Sequence, residues 1–520
     1  MFRRTGIIAA LLLSAFVAAQ KVTIDPTRLE AVKDFQKLFK KYKEEALQVE
    51  AVLTLKGQEC PPAVDELLRL MKNPAVQVQQ TALLVLESYR EQPTFQPLMD
   101  SLLSLKDEEQ RALIIKVLGA AKMTAALPML KKTAEVTKSP AVKFELLRAF
   151  SHLGDGSVEP MVGTMLSDPD AGVRMTAADC AAVLNLRALG KHVVPLLDDP
   201  EWQVQSAAVN AVGKLRPIEA ISPLIELMRK PGRIRTECAD SLFRITAYEF
   251  GVEPDEWATA WASMQKLGWR PPTDEELAKK AEARKKNDVK YGKKLAHNTF
   301  AGIQTTSTRV LFIIDVSGSM DDRVVEVEKF PGYADLKKFT VVKKNLIDAL
   351  DSLTQDTFFD IVAFASDLHV WKGKLVPANI INRDTAKAWV ARLNPIGGTE
   401  DQELSQAGLG GMVNLSEGKT NTLKALLYSF SIDPDVAQRT TITGLDKNAI
   451  KSKLDTVYFL SDGRPSVGKL VDTNEILKEV KRCNDMYRLV IHTIAIGEFE
   501  KEFLRSLAAQ NGGEFVDLGR

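Results

Sequence analysis

The chain contains few of the residues on which many metal and catalytic centres depend. Its 520 residues include five histidines and four cysteines, and Cys60, Cys180, Cys238 and Cys483 show no C-x-x-C spacing. A zinc centre is therefore not expected. We interpret the cysteines as small buried residues, with Cys180 and Cys238 as candidates for a disulfide between stacked helices.

An excess of charge of one sign is also missing. Lys and Arg number 69 and Asp and Glu number 68, which gives a net charge of +1 at pH 7. Proteins that bind nucleic acids usually carry a clear basic surplus. The overall charge therefore gives no reason to expect a nucleic acid as partner.

Long apolar runs are absent as well. The N-terminal run, residues 7–17, is much shorter than the ~20 residues that a membrane-spanning helix needs. It follows Arg3 and Arg4 and ends near Val17 and Ala19, which is the pattern of a secretory signal peptide. We predict that residues 1–19 are such a signal peptide and that the mature protein is exported, to the periplasm or the exterior.

Prolines recur in the first half of the chain. Pro140, Pro169, Pro200 and Pro231 are 29, 31 and 31 residues apart, and each stands between two amphipathic helical patterns. Helix pairs of this size cannot bury their apolar faces alone and therefore stack into arrays. Residues 58–250 are predicted to form an α-solenoid.

The repeated segments resemble HEAT repeats. In "DPDAGVRMTAADCAAVL", Val173 and Arg174 occupy the Val-Arg position of that family. The resemblance implies an extended surface that binds another protein, and a rigid spacer is the alternative. Residues 20–57 are predicted to be a helical cap, and the charge-dense residues 251–300 a helical linker.

From residue 301 onward the pattern changes to alternating strands and helices. "VLFII" (310–314) and "TVYFL" (456–460) are continuous apolar runs, as expected of parallel strands that are covered on both faces. The alternation predicts a doubly wound α/β sheet, whose ligand site lies beyond the carboxyl ends of its strands.

Oxygen-bearing side chains follow both of these strands. Asp315, Ser317 and Ser319 come directly after the first, and Asp462 comes after the second. Carboxylate and hydroxyl oxygens suit Mg²⁺, and also Mn²⁺ or Ca²⁺. With only two carboxylates the bound ion stays electron-poor, so it can accept an acidic side chain from another protein.

This arrangement resembles the metal-ion-dependent adhesion site of von Willebrand factor A domains. "DVSGSM" and "FLSDG" are close matches, and the likeness covers residues 301–520. The resemblance implies a further ligand, a threonine from a separate loop. Thr420, which opens the helical pattern "TNTLKALLYSF", is favoured, and Thr399 in "NPIGGTE" is the alternative.

A lengthened loop and the lack of a catalytic motif complete the sequence evidence. Residues 321–339 extend the connection after the first ligands, either as a cap on the site or as a surface excursion. Met320 stands where a G-x-S-x-G elbow needs its second glycine, and no H-E-x-x-H occurs. His492 lies in an apolar strand pattern and is interpreted as a core or strand-end residue rather than a general base. We therefore expect no enzyme.

Together these patterns predict an exported multi-domain protein, similar to families of exported bacterial proteins. Its expected function is divalent-cation-dependent protein binding, as in adhesion or scaffolding, with the solenoid as a second binding surface. Two alternatives remain. In the first, the solenoid binds and the A domain is structural. In the second, the chain is an accessory subunit or an unrecognised enzyme in envelope processing.

Overall fold

A computed structural model describes residues 24–71, 73–291, 298–324, 328, 330, 332–333, 335–398, 418–430, 444–462, 464–497 and 501–518. The predicted signal peptide and Thr399 lie outside these residues. None of the described helices is both long and apolar enough to cross a bilayer. The chain forms two compact units: the first comprises the described residues up to Ser104 together with Ala120–Ala126, and the second comprises Leu105–Gly119 and the residues from Leu127 onward.

The first unit is helical. Its first helix, α1 (Pro26–Lys41), begins at a capping residue, because the Asp25 carboxylate accepts a hydrogen bond from the Thr27 N–H at 2.9 Å. Pro26 occupies the first turn, where a proline is favoured. Buried apolar side chains such as Phe35 and Leu67 fill the space between the helices. The helices are α1 (Pro26–Lys41), α2 (Glu45–Leu53), α3 (Pro61–Leu70), α4 (Val76–Ser88) and α5 (Gln92–Ser101).

The second unit begins with helices that continue the repeats. The prolines at 140, 169, 200 and 231 mark the turns or first positions that precede the second helix of each pair, as predicted. Successive second helices (α8, α10, α12 and α14) pack side by side. The helices are α6 (Glu108–Ala120), α7 (Leu127–Val136), α8 (Pro140–Leu153), α9 (Glu159–Met165), α10 (Ala171–Val183), α11 (Gly190–Val193), α12 (Trp202–Leu215), α13 (Ile221–Leu227) and α14 (Ile234–Thr246).

Ion pairs join neighbouring repeats at equivalent positions. Lys143 contacts Asp168 at 2.6 Å, and the Arg174 guanidinium binds both carboxylate oxygens of Asp199 at 2.7 and 3.0 Å. Each pair spans 25 residues, and each carboxylate lies directly before a repeat proline. Arg174, at the Val-Arg position of the sequence, therefore links its repeat to the next one.

Two further helices follow the repeats, α15 (Pro254–Lys266) and α16 (Asp274–Tyr291). The charged helix α16 packs against α14 through Arg284, which pairs with Asp240 at 2.8 Å and lies 4.8 Å from the ring centroid of Phe243. The predicted boundaries of the individual domains stay a prediction. All four cysteines are buried and free, so Cys180 and Cys238 form no disulfide.

An α/β domain forms the rest of the second unit. Its sheet has the order β5-β4-β3-β7-β8-β9, with β6 beside β4; β3, β4, β7, β8 and β9 are parallel, and β5 and β6 are antiparallel to β4. The strands are β1 (Asn298–Phe300), β2 (Ile303–Thr305), β3 (Arg309–Asp315), β4 (Phe358–Phe364), β5 (Leu368–Val370), β6 (Val376–Pro377), β7 (Thr456–Ser461), β8 (Val490–Ala495) and β9 (Phe515–Asp517). The helices are α17 (Lys338–Ser352), α18 (Ile380–Arg392), α19 (Thr422–Tyr428), α20 (Lys447–Lys451), α21 (Thr473–Tyr487) and α22 (Lys501–Gln510).

The predicted fold class is confirmed: helical repeats precede a doubly wound α/β domain. β3 is the switch point, because the chain goes from β3 to β4 on one side and later returns to place β7 on the other. The hairpin β1–β2 and the short strands β5 and β6 are elements that the sequence patterns did not predict.

The repeats hold the α/β domain at the amino end of β7. The Arg233 guanidinium donates to the backbone carbonyls of Asp455, at 3.1 Å, and Arg488, at 2.7 Å. The Trp202 indole N–H donates to the carbonyl of Ser452 at 2.9 Å. Further contacts from successive repeats are Arg148 with Asp485, Asp179 with Arg488, Gln203 with Ala449, and Thr236 with Thr306.

Candidate metal centre

Asp315 ends strand β3 inside the protein. Its side chain is fully buried, and its Oδ1 accepts a hydrogen bond from the Ser317 backbone N–H at 2.8 Å. The chain then turns through a 3-10 helix, Gly318–Asp321. This turn brings the hydroxyl oxygens of Ser317 and Ser319 to 3.3 Å from each other. The D-x-S-x-S spacing therefore gathers its three oxygen side chains, as expected.

The carboxyl end of β7 supplies the other side of the site. The Ser319 hydroxyl donates to Asp462 Oδ1 at 2.9 Å, and the Ser461 hydroxyl donates to Asp315 Oδ2 at 2.6 Å. β3 and β7 are neighbours in the sheet, so residues more than 140 positions apart in sequence meet here. We call Asp315, Ser317, Ser319 and Asp462 the candidate site; Ser461 is an additional residue that orients Asp315.

Three loops meet closely at the Ser317–Ser319 turn. The Gly318 N–H donates to the carbonyl of Gly418 at 3.0 Å, and a Cβ on Gly318 would lie 2.8 Å from the carbonyl oxygen of Gly397. Two residues beyond Gly418, Thr420 is buried, and its N–H donates to the Ser466 hydroxyl at 2.9 Å. The loop of Thr420 therefore touches the candidate site directly.

The alternative ligand, Thr399, lies just after this junction but outside the described residues. The loop that leads to it, at Gly397, approaches the same turn as the loop of Thr420. The described loop residues Gly397 and Gly418 therefore meet at the same turn. The choice of Thr420 over Thr399 stays a prediction.

Burial governs the electrostatics of the two carboxylates. Removal from water raises the pKa of Asp315, the Asp462 carboxylate raises it further, and hydrogen bonds from Ser317 and Ser461 oppose the rise. Burial also raises the pKa of Asp462, although the Lys338 ammonium and the Ser319 hydroxyl favour its ionised form. The two acids therefore disfavour each other's negative charge, and a cation between them would remove that penalty.

Lys338 is a residue of this site that the sequence patterns did not reveal. Its Nζ lies 2.6 Å from Asp462 Oδ2 and 3.3 Å from the carbonyl oxygen of Ser319. A lysine at the start of a helical pattern carries no signal of its own, and its position depends on the fold of the preceding loop. In that loop the Lys338 N–H donates to the carbonyl of Asp322 at 2.9 Å.

The oxygen set fits a hard divalent cation. Two carboxylates and two hydroxyls converge, and the Lys338 ammonium pairs with one of the buried acids. Within the described parts of the chain, no group of three or more His, Cys, Asp or Glu side chains is placed to hold a metal. A cation held by two carboxylates and two hydroxyls would have further coordination positions for water or for an oxygen from outside the chain.

His492 packs within the sheet and makes a hydrogen bond there. Its Nδ1 accepts the Glu514 N–H at 3.0 Å, and its ring stacks on Tyr458 with centroids 4.9 Å apart. These contacts agree with its interpretation as a core residue. The expectation that the protein is not an enzyme stays a prediction.

Comparison with known proteins finds a family model that matches the repeats. The family model described as HEAT repeats matches residues 95–182 and 158–243. The chain therefore contains HEAT repeats, although the match covers less than half of it.

Curated relatives are heavy chains of the inter-alpha-trypsin inhibitor. Heavy chain H1 of Sus scrofa is 26% identical over 226 residues, which is 42% of this chain and 20% of that protein. Heavy chain H2 of Sus scrofa is 28% identical over 205 residues, which is 39% of this chain and 17% of that protein. The chain thus spans about a fifth of the length of the relatives that it matches.

The sheet order and the D-x-S-x-S turn at its switch point decide the class of the α/β domain. The C-terminal domain is similar in fold to von Willebrand factor A domains. We call it the A domain and use its predicted bounds, residues 301–520. Similar solved structures include an aerotolerance-related membrane protein from Bacteroides fragilis (TM-score 0.26, 11% identity, 40% of this chain, 90% of that one) and BatB from Bacteroides thetaiotaomicron (TM-score 0.25, 13% identity, 40% and 88%).

Proposed function

We propose that this protein is a non-enzymatic protein-binding or scaffold protein whose A domain binds another protein through a divalent cation. The observation that supports this most is the meeting of Asp315, Ser317, Ser319 and Asp462 at the carboxyl ends of two neighbouring strands. Mg²⁺ is the expected ion, with Mn²⁺ and Ca²⁺ as alternatives.

The proposed partner contributes an acidic side chain. Asp315 and Asp462 supply the negative charge at the ion, and the hydroxyls of Ser317 and Ser319 add oxygen atoms without charge. Thr420, or Thr399 in its place, would supply the remaining protein ligand. When bound, the ion provides a Lewis-acidic centre that attracts a carboxylate oxygen. A carboxylate from the partner therefore completes the coordination.

The repeats are proposed as a second binding surface, which would raise avidity. The second helices from α8 to α14 contact the A domain, for example through Trp202, Arg233 and Arg148. A partner would therefore use a different face of the repeats. The pattern of residues 1–19 supports export, to the periplasm or the exterior.

The metal is testable by calorimetry on the full chain. Mg²⁺ and Mn²⁺ are titrated into the wild type, the Asp462→Ala variant and the Asp321→Ala variant, whose carboxylate pairs with Lys337 in the same turn. We expect one site in the wild type and in Asp321→Ala, and an affinity at least roughly tenfold lower in Asp462→Ala. Equal heats from the wild type and Asp462→Ala would exclude the metal site.

A second candidate function is a solenoid scaffold with a structural, metal-free A domain. The observation that favours it is Lys338, whose ammonium already neutralises Asp462 at 2.6 Å. In that case Mg²⁺ raises the melting temperature of neither the wild type nor the Asp315→Asn variant. A rise confined to the wild type excludes this candidate.

A further inference from the structure

Lys338 is enclosed beside the candidate site. Its side chain is 5% exposed, and its Nζ contacts Asp462 Oδ2 at 2.6 Å and the Ser319 carbonyl oxygen at 3.3 Å. Both partners are oxygen atoms at the point where the cation is proposed to bind. The ammonium thus already uses part of the oxygen set that a metal would use.

The surroundings keep Lys338 in this position. Gly497 has a φ of +116°, and a Cβ there would lie 3.4 Å from Cε of Lys338 and 3.7 Å from Cβ of Asp462. Gly497, two residues after β8, therefore lies against both side chains. At the other end, the backbone of Lys338 is fixed by its hydrogen bond to Asp322 and begins helix α17.

Lys338 is the positive charge that compensates the buried carboxylates of the site. Asp321 and Lys337 pair with each other at 2.8 Å and cancel. Asp322 lies 3.8 Å from the ammonium, but its side chain is more than half exposed, so solvent screens it. Among the residues that the structure describes here, the buried charges that remain at the site are Asp315, Asp462 and Lys338.

We infer that Lys338 competes with the metal for Asp462 and thereby selects an anionic partner group. With both carboxylates ionised, the buried side-chain charges sum to −1 (two negative and one positive). A divalent cation changes this sum to +1, whereas two carboxylates alone would give zero. Lys338 therefore weakens metal binding and strengthens the capture of a carboxylate by the metal-loaded site. This inference rests on the proposed function.

Substitution of Lys338 by methionine separates the two effects, because methionine has similar length but no charge. Mn²⁺ is titrated calorimetrically into the full-length wild type, Lys338→Met and the matched control Lys337→Met. We expect Lys338→Met to bind Mn²⁺ at least roughly tenfold more tightly than the wild type, since close like charges repel strongly in a buried site. Lys337→Met should stay within about threefold, because its ammonium is outside the oxygen set.

Acetate is the probe for the second effect. Its binding to the Mn²⁺-loaded proteins is followed by the relaxation of water protons, as acetate displaces metal-bound water. We expect acetate to bind at least about fivefold more weakly to Lys338→Met than to the wild type. Unchanged acetate affinity would overturn the selection of an anionic group.

The outcomes distinguish this inference from the proposed function. If the wild type and Asp462→Ala give the same heats with Mn²⁺, the metal site itself is absent. If the wild type binds Mn²⁺ and Lys338→Met binds it equally or more weakly, only the competition by Lys338 is wrong. Circular dichroism checks folding, and Lys338→Gln, which keeps a hydrogen-bond donor, gives the same test should the methionine variant not fold.

Discussion

At the residue scale, the buried acids of the A domain lower the stability of the metal-free protein when they are ionised. Asp315 is fully buried, and both burial and the Asp462 carboxylate raise its pKa above the ordinary value. The folded protein therefore keeps protons that the unfolded chain releases above about pH 4. The stability of the metal-free fold falls as the pH rises from the ordinary pKa of an aspartate toward the raised pKa of Asp315.

Mg²⁺ should reverse this dependence. The ion binds the deprotonated acids, so we expect its effect on the melting temperature to be larger at about pH 8 than at about pH 5. Melting curves with EDTA and with Mg²⁺ at both values measure this. Asp315→Asn serves as control and should show a smaller fall in stability with pH and no shift with Mg²⁺. An equal Mg²⁺ effect at both pH values in the wild type contradicts the prediction.

A glycine at the junction of the loops is a second sensitive residue. A methyl group on Gly318 would approach the Gly397 carbonyl oxygen to 2.8 Å, so the loops must separate. We expect Gly318→Ala to lower the free energy of unfolding by about 1–3 kcal/mol and to weaken metal binding. Urea denaturation and calorimetry test both effects.

Gly332 is the matched control for this substitution. It has no heavy atom within 4 Å of an added Cβ, so Gly332→Ala should change stability by less than about 0.5 kcal/mol. Equal losses in the two variants would show that close loop contact is not the cause.

At the scale of the elements, the repeats are joined by partly buried ion pairs. Asp199 is nearly buried and receives two bonds from Arg174. Loss of one partner leaves a buried charge without compensation, which destabilises far more than loss of an exposed pair. The spacing of the helices therefore depends on a few positions rather than on the many surface charges.

Arg174→Ala tests this difference. We expect a loss of about 2–4 kcal/mol in the free energy of unfolding. In contrast, Lys191→Ala removes a pair with Glu219 in which both side chains are at least half exposed, so its loss should stay below about 1 kcal/mol. Urea titrations of both variants provide the measurement, and similar losses would contradict the prediction.

The sequence predicted the elements that carry strong periodicity. The run 310–314 became β3, the end of β3 carries Asp315, and Asp462 follows β7, because parallel strands of a doubly wound sheet end at one edge. Lys338 was missed because a lysine at the start of a helical pattern does not indicate a site, and its contact with Asp462 depends on the fold of the preceding loop. The hairpin β1–β2 was missed because strands of three residues are too short for a periodic signal.

At the scale of the whole molecule, the second unit joins the repeats to the A domain by contacts that include the amino end of β7. Arg233 binds the carbonyl of Asp455, one residue before β7, while Asp462 follows the other end of the strand. Attachment to the repeats therefore leaves the carboxyl edge of the sheet, with the candidate site, on the end away from these contacts.

Arg233→Ala should loosen this attachment without changing the metal site. Arg233 also lies 5.2 Å from the ring centroid of Trp202, so its loss removes stacking as well as hydrogen bonds. We expect faster hydrogen exchange at the start of β7 and the end of α21, and a Mn²⁺ affinity within about twofold of the wild type. Arg229→Ala, which removes an exposed arginine, is the control, and a large drop in Mn²⁺ affinity in Arg233→Ala would contradict the separation.

The position of β7 has a mechanical consequence. It is hydrogen-bonded on one side to β3 and on the other to β8, over five and six residue pairs. A pull applied at Asp462 and resisted at the anchored repeats would load both ladders in shear, parallel to the strand, so that many hydrogen bonds share the force before any can open. The architecture is suited to staying folded under tension between the proposed partner and the repeats.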